Sequence, residues 1–193
     1  MSHSEKSHLE PERDNAACAA QSDEQVVQAL GPQMQRLTAQ VTDLFPEREH
    51  LINQIVFALL TREHVLLHGV FGTGKTHLVN SIFASFVGQN TFSLALNKFH
   101  TESNVFGIPD PRKMREEGII HYPRQGGLLD AHFAELDEIL DASGPLLRVL
   151  LGVLNEREFK RGQQYEKALL HTALASTNGD PERAVKQNDD LGA

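Results

Sequence analysis

The 193-residue chain sets 18 Lys and Arg against 26 Asp and Glu, a formal net charge of −8, which argues against broad binding to nucleic acid or an anionic membrane surface. Its single cysteine, Cys18, excludes a disulfide framework or a cysteine-built metal site, and a reducing, cytoplasmic setting fits best. No apolar run nears the roughly 20 residues of a bilayer span, and Met1–Lys6 lacks the apolar core of a signal peptide.

Residues 1–23 are polar and aperiodic and are expected to form a disordered tail ahead of a folded region, 24–193. From Glu24, the apolar positions Val26, Val27, Leu30, Met34, Leu37, Val41 and Leu44 have helical spacing; Gly31-Pro32 interrupts them, so two helices are predicted. Pro46 is placed near the first turn of the next helix, whose apolar face is Leu51, Ile52, Ile55, Val56, Leu59 and Leu60. His64–His68 is a short apolar run of the kind that makes a buried strand. As a strand it keeps His64 and His68 from sharing a metal, and the ten histidines are otherwise scattered. A helix follows from His77 to Val87, with Leu78, Ile82 and Phe86 in line and Gly88 as its stop.

A second strand is predicted at Phe92–Leu96. Residues 100–127, punctuated by glycine and proline, are expected to form turns, a small hairpin at Gly118–Tyr122 and a surface insertion. Ala131–Leu136 is a third strand, less apolar than most. Ser143-Gly144-Pro145 starts a helix, Glu158–Tyr165 is a hairpin turning at Arg161-Gly162, and Leu169–Thr177 is a fourth strand. Strands alternating with helices predict an α/β fold with a parallel sheet flanked by helices, its ligands at the carboxyl edge of the strands.

The chemistry concentrates between the first strand and the helix after it. Gly69-Val70-Phe71-Gly72-Thr73-Gly74-Lys75-Thr76 spells G-x-x-x-x-G-K-T, the phosphate-binding P-loop. Its glycines let backbone N–H groups turn inward around phosphate oxygens, and the following helix, entered through His77, adds its positive end. Lys75 places a charge on the β- and γ-phosphates of a nucleotide, and Thr76 offers a hydroxyl to Mg²⁺. Asp137 and Glu138 end the third strand. Asp137 is suited to hold the metal, and Glu138 to deprotonate the attacking water. Asn178 ends the fourth strand, where an amide can reach the γ-phosphate or the lytic water. A small-molecule kinase would need a lid and an acceptor pocket; neither is legible, and the Asp137, Glu138 and Asn178 pattern favours water as acceptor.

These motifs, in this order, resemble the MoxR-type AAA+ ATPases, and most closely the RavA-like branch. The resemblance runs over about residues 37 to 180. It rests on Leu44–His50 before the helix leading to the first strand, on the P-loop, and on Thr101-Glu102-Ser103-Asn104-Val105-Phe106-Gly107. It also rests on Leu136-Asp137-Glu138-Ile139, on Asn155-Glu156-Arg157-Glu158-Phe159, and on Ala175-Ser176-Thr177-Asn178, similar to a sensor 1 strand. It implies a P-loop AAA+ core, Mg²⁺-dependent ATP hydrolysis, a homo-hexameric ring, chaperone-like remodelling of a protein client, and a von Willebrand factor A domain partner. It also implies pore-facing loops at 107–127 and 157–167, which carry Arg112, Lys113, Arg115, Lys160 and Arg161. The gas-vesicle AAA+ branch shares the general motifs. The resemblance places an arginine finger, a last core strand and a helical lid just where this sequence stops. An incomplete core without its lid is therefore expected, with Arg183 a poor substitute for the finger; a nucleotide-holding module of little hydrolytic power is the alternative reading.

Overall fold

A computed structural model describes residues 23–70, 72–118, 122, 125–161 and 164–181. The chain divides into two units, Met1–Arg36 and Leu37–Ala193, and all of the chemistry below belongs to the second. Residues 1–22 of the tail expected at 1–23, Phe71, the tip of the hairpin expected at 118–122, and Arg183 lie outside the described residues, while Asp23 already belongs to a helix.

Four parallel strands form the sheet in the order β1-β6-β3-β2: β1 Val65–His68, β2 Thr91–Ala95, β3 Phe133–Asp137 and β6 Thr172–Thr177. The register sets Leu66 beside Ala175, Ala134 beside Ala173 and Ser93 beside Glu135. Strand alternation then assigns the faces of β3. Ala134 and Leu136 join the large core under helix α6, Gly144–Glu156, which buries Leu146, Leu147, Leu150, Val153 and Leu154. Phe133, Glu135 and Asp137 project to the opposite face. There Phe133 stacks on Phe83 of helix α3, Lys75–Phe83, with ring centroids 5.2 Å apart. Helix α2, Glu49–Thr61, buries Ile52, Ile55, Val56, Ala58 and Leu59; of the face read from its spacing Leu51 is half-buried and Leu60 is exposed. A separate antiparallel hairpin joins β4, Glu158–Arg161, to β5, Gln164–Lys167; Phe159 reaches back into the α6 core against Phe106 at 4.3 Å.

Several elements differ from the prediction. One helix, α1 Asp23–Leu44, runs through Gly31-Pro32 where two were expected. A proline deletes one i→i−4 hydrogen bond, and the bonds on either side carry the helix on. Pro46 sits in the turn before α2, which starts three residues later, and α3 ends at Phe83 rather than Val87. The stretch read as turns contains two short helices, α4 Glu102–Phe106 and α5 Pro111–Glu117. Local caps explain both: the Asn104 side chain accepts from the Thr101 N–H at 2.9 Å, and Asp110 accepts from the Arg112 N–H at 2.8 Å with Pro111 at the first helical position. No described helix is long and apolar enough to cross a membrane.

Candidate nucleotide site

β1 delivers the chain to the carboxyl edge of the sheet, where the Gly69 N–H extends the ladder by one bond to the Thr177 carbonyl (3.2 Å). The loop then reverses into α3. Gly72 and Gly74 carry the turn at φ 76° and 75°, left-handed values that cost a side-chain-bearing residue roughly 1–2 kcal/mol. Lys75 opens α3, and its ammonium turns back across the loop. It donates to the Gly69 carbonyl at 2.5 Å, to the Val70 carbonyl at 3.2 Å and to Asn178 Oδ1 at 2.7 Å. Thr73 Oγ1 closes the loop on the Val70 carbonyl at 3.1 Å.

Two neighbouring strands supply the facing wall. Asp137 ends β3 and accepts a hydrogen bond from the Ser176 hydroxyl of β6 and, at 3.1 Å, from the Glu138 N–H. Glu138 holds φ 52°, a left-handed backbone that is uncommon for a residue with a side chain and that turns its carboxylate toward β6. Both of its oxygens are engaged by Asn178: Oε2 accepts from the backbone N–H at 3.0 Å and Oε1 from the side-chain amide. A continuous chain therefore runs from Lys75 through Asn178 to Glu138, spanning the ends of β1, β6 and β3.

The result is an open cleft of about 660 Å³, lined by Gly72, Thr73, Gly74, Lys75, Thr76, His77, Asn80, Asp137, Glu138 and Asn178. Every described site residue read from the sequence either lines it or, as with Gly69 and Val70, holds Lys75 through a carbonyl. The His77 ring meets Phe45 edge-on at 5.0 Å. The sequence reading missed Asn80, Ser176 and Glu135. Asn80 follows Thr76 by four residues, so helical spacing could have flagged it, and Glu135 precedes Asp137 by two, so strand alternation could have put it on the same face; Ser176 lies inside another strand, and only the register reveals that it stands beside Asp137. Burial raises the Glu135 carboxyl above its ordinary pKa, opposed by a hydrogen bond from Ser93 and reinforced by the Asp137 charge. The cleft's donors to a cation are oxygens, a hydroxyl and a carboxylate, which suits a hard ion such as Mg²⁺.

Comparison with known proteins decides the family. The family model described as the MoxR domain in the MoxR-vWA-beta-propeller ternary systems matches residues 32–188. The chain belongs to the MoxR family of AAA+ ATPases. An uncharacterised protein of Methanocaldococcus jannaschii is 28% identical to this MoxR domain over 149 residues, 77% of this chain and 40% of that one. The chaperone MoxR1 of Mycobacterium tuberculosis is 29% identical over 129 residues, 67% of this chain and 33% of its own. The MoxR domain thus spans less than half the length of these relatives. A solved structure of Hsp104 in its closed state, with ATPγS and casein, shares the fold at a TM-score of 0.58 and 16% identity, covering 77% of this chain and 28% of that one.

Proposed function

We propose that this MoxR domain binds ATP with Mg²⁺ in the cleft above β1, β3 and β6 and hydrolyses it, as the motor of a chaperone-like remodelling machine. The observation that carries the reading is the Lys75–Asn178–Glu138 chain. The backbone N–H groups of the 69–76 loop and the amino end of α3 would receive the phosphates. Lys75 would exchange its carbonyl partners for phosphate oxygens. Thr76 and Asp137 would hold Mg²⁺, which supplies positive charge against the β- and γ-phosphate oxygens. Asn178 touches Lys75 and Glu138 at once, so drawing Lys75 onto phosphate loosens the hold on Glu138 and frees its carboxylate to take a proton from water.

The test is phosphate release at saturating ATP and Mg²⁺. Glu138→Gln should keep nucleotide affinity and lose roughly 10²–10⁴-fold in kcat, the usual contribution of a positioned general base. Equal turnover by Glu138→Gln and wild type would remove Glu138 from the mechanism. A wild type that binds but releases no phosphate would instead support a nucleotide-holding module, a reading favoured by the engagement of both Glu138 oxygens.

The wider assembly is part of the same proposal. A homo-hexameric ring and pore-facing loops carrying Arg112, Lys113, Arg115, Lys160 and Arg161 follow from the resemblance, while the domain division at 23/24 and a cytoplasmic location follow from composition. The matched family's description supports a von Willebrand factor A partner and a β-propeller partner. The RavA-like branch rests on the motifs alone.

A further inference from the structure

Ser176 is a buried hydroxyl, 5% exposed, near the carboxyl end of β6. The register sets it beside Leu67 of β1 on one side. On the other, the pairing of β3 with β6 ends with Leu136 beside Ala175, so the next residues, Asp137 and Ser176, are neighbours. A buried hydroxyl needs a hydrogen-bond partner, and the Leu67 side chain offers none. The Ser176 hydroxyl donates to Oδ1 of Asp137. The bond adds little to two strands that the ladder already holds together. Its consequence is local to the carboxylate.

A carboxylate offers about four lone-pair sites, shared equally between its oxygens. Oδ1 of Asp137 receives two donors, the Ser176 hydroxyl and the Glu138 N–H at 3.1 Å, and is thereby full. No described residue donates to Oδ2, and Asp137 lines the cleft together with Thr76. Asp137 can therefore give a cation one oxygen but not both. Divalent ions differ in what they need from such a group. Mg²⁺ is small, demands octahedral geometry and keeps several waters, so a single carboxylate oxygen suffices. Ca²⁺ gathers more oxygens at longer distances and can draw both from one carboxylate. We infer that Ser176 is a specificity-determining residue: by occupying Oδ1 together with the Glu138 N–H, it confines Asp137 to a single metal contact and so favours Mg²⁺ over Ca²⁺. It acts through Asp137, as a positioning residue, and does not itself touch the cation. This inference rests on the nucleotide–Mg²⁺ reading above.

The experiment titrates Mg²⁺ and, separately, Ca²⁺ into the chain with a fluorescent ATP analogue, alongside nucleotide affinity in EDTA and the melting temperature. Wild type should reach half-saturation at a lower concentration of Mg²⁺ than of Ca²⁺. Ser176→Ala frees a lone pair of Oδ1. It should raise the Mg²⁺ requirement about threefold, because the carboxylate is less firmly held, and lower the Ca²⁺ requirement by a similar factor. The preference for Mg²⁺ then shrinks about tenfold while affinity in EDTA stays at the wild-type value. Ser176→Thr keeps the hydroxyl and should keep the wild-type preference. Should Ser176→Ala fail to fold, Ser176→Cys, close in shape but a weak donor, carries the same test with a smaller shift in the same direction. A merely structural role would move both cations together. Requirements for the two ions that change by the same factor in Ser176→Ala, or do not change, overturn the inference; so does a wild type that takes both ions equally. A wild type that binds the analogue with no dependence on either cation overturns the metal reading itself, an outcome separable from the first because it appears before any substitution.

Discussion

At the carboxyl ends of β1, β3 and β6 the polar side chains that bridge separate elements partner one another, Lys75 with Asn178, Asn178 with Glu138 and Ser176 with Asp137, and the backbone carbonyls that Lys75 also meets, of Gly69 and Val70, belong to its own loop. At the amino ends of the same strands the side chains that bridge separate elements, His64 and Arg157, partner backbone. His64 Nδ1 accepts from the Ala173 N–H at 2.9 Å while its other ring nitrogen meets the Leu154 carbonyl at 2.7 Å, which fixes the neutral tautomer with the proton on Nε2. Arg157, the left-handed cap of α6, spans the Arg62 and His171 carbonyls. Both ends are rich in ionisable groups, so abundance of charge does not mark the functional end. What differs is exchangeability. A side chain held by side chains can pass to a ligand as its partners rotate, whereas one held by the backbone of two packed elements is part of the scaffold. The comparison predicts that substitutions at the upper end change binding and leave folding intact, and that those at the lower end do the reverse.

Lys75→Ala should weaken ATP and ADP binding roughly 100-fold, the scale of losing about 3 kcal/mol of charge-assisted hydrogen bonding, with an unchanged melting temperature. Calorimetric titration beside thermal melting checks both halves. A variant that also melts early would mean that Lys75 is scaffold and would blur the contrast. At the other end, Arg157→Met should cost about 2 kcal/mol of folding free energy, because the Arg62 and His171 carbonyls lose their donor, with nucleotide affinity within twofold of wild type. Urea denaturation reads the first quantity and the same titration the second.

Acid should act mainly on the lower end. Burial holds His64 below its ordinary pKa of 6.5 despite the bond to Leu154, and His171 is lowered chiefly by burial and then by Arg62 and Arg157. For a histidine whose folded pKa is depressed, the unfolded chain binds the extra proton. Its contribution is therefore complete above about pH 6.5 and is lost as pH falls from there through the folded pKa. Denaturation midpoints at pH 5.5 and 7.5 should differ in wild type and differ less in His64→Gln, where no ring titrates; equal pH sensitivity would detach the effect from His64. The smallest expected change is at Ser176. Ser176→Ala removes a donor to Asp137 and should raise the Mg²⁺ requirement for nucleotide binding a few-fold. No change there would place Ser176 with the scaffold.

Much of the upper end was legible because its chemistry is local in sequence. The loop spells itself out in consecutive letters, and Asp137, Glu138 and Asn178 each follow an apolar run that reads as a strand. Its supports were not legible. Ser176 sits inside β6, and only register shows that it stands beside Asp137; Glu135, two residues before Asp137, reads in sequence as one more strand residue, and only its burial shows it to be unusual. The Lys75–Asn178 contact joins residues 103 positions apart. In the fold, α4 and α5 were missed because each is too short for a periodic pattern, although Thr101 with Asn104 and Asp110 with Pro111 signal their starts. The break predicted at Pro32 failed for the opposite reason: a strong local signal was outweighed by the helical bonds on both sides.

The most direct measurement is amide hydrogen exchange with and without Mg²⁺ and ATP. The account predicts ligand-dependent slowing at the loop 69–76, at 137–138 and at 178, with 64, 157 and 171 already slow and unmoved. Slowing at the lower end, or none at the loop, would contradict it.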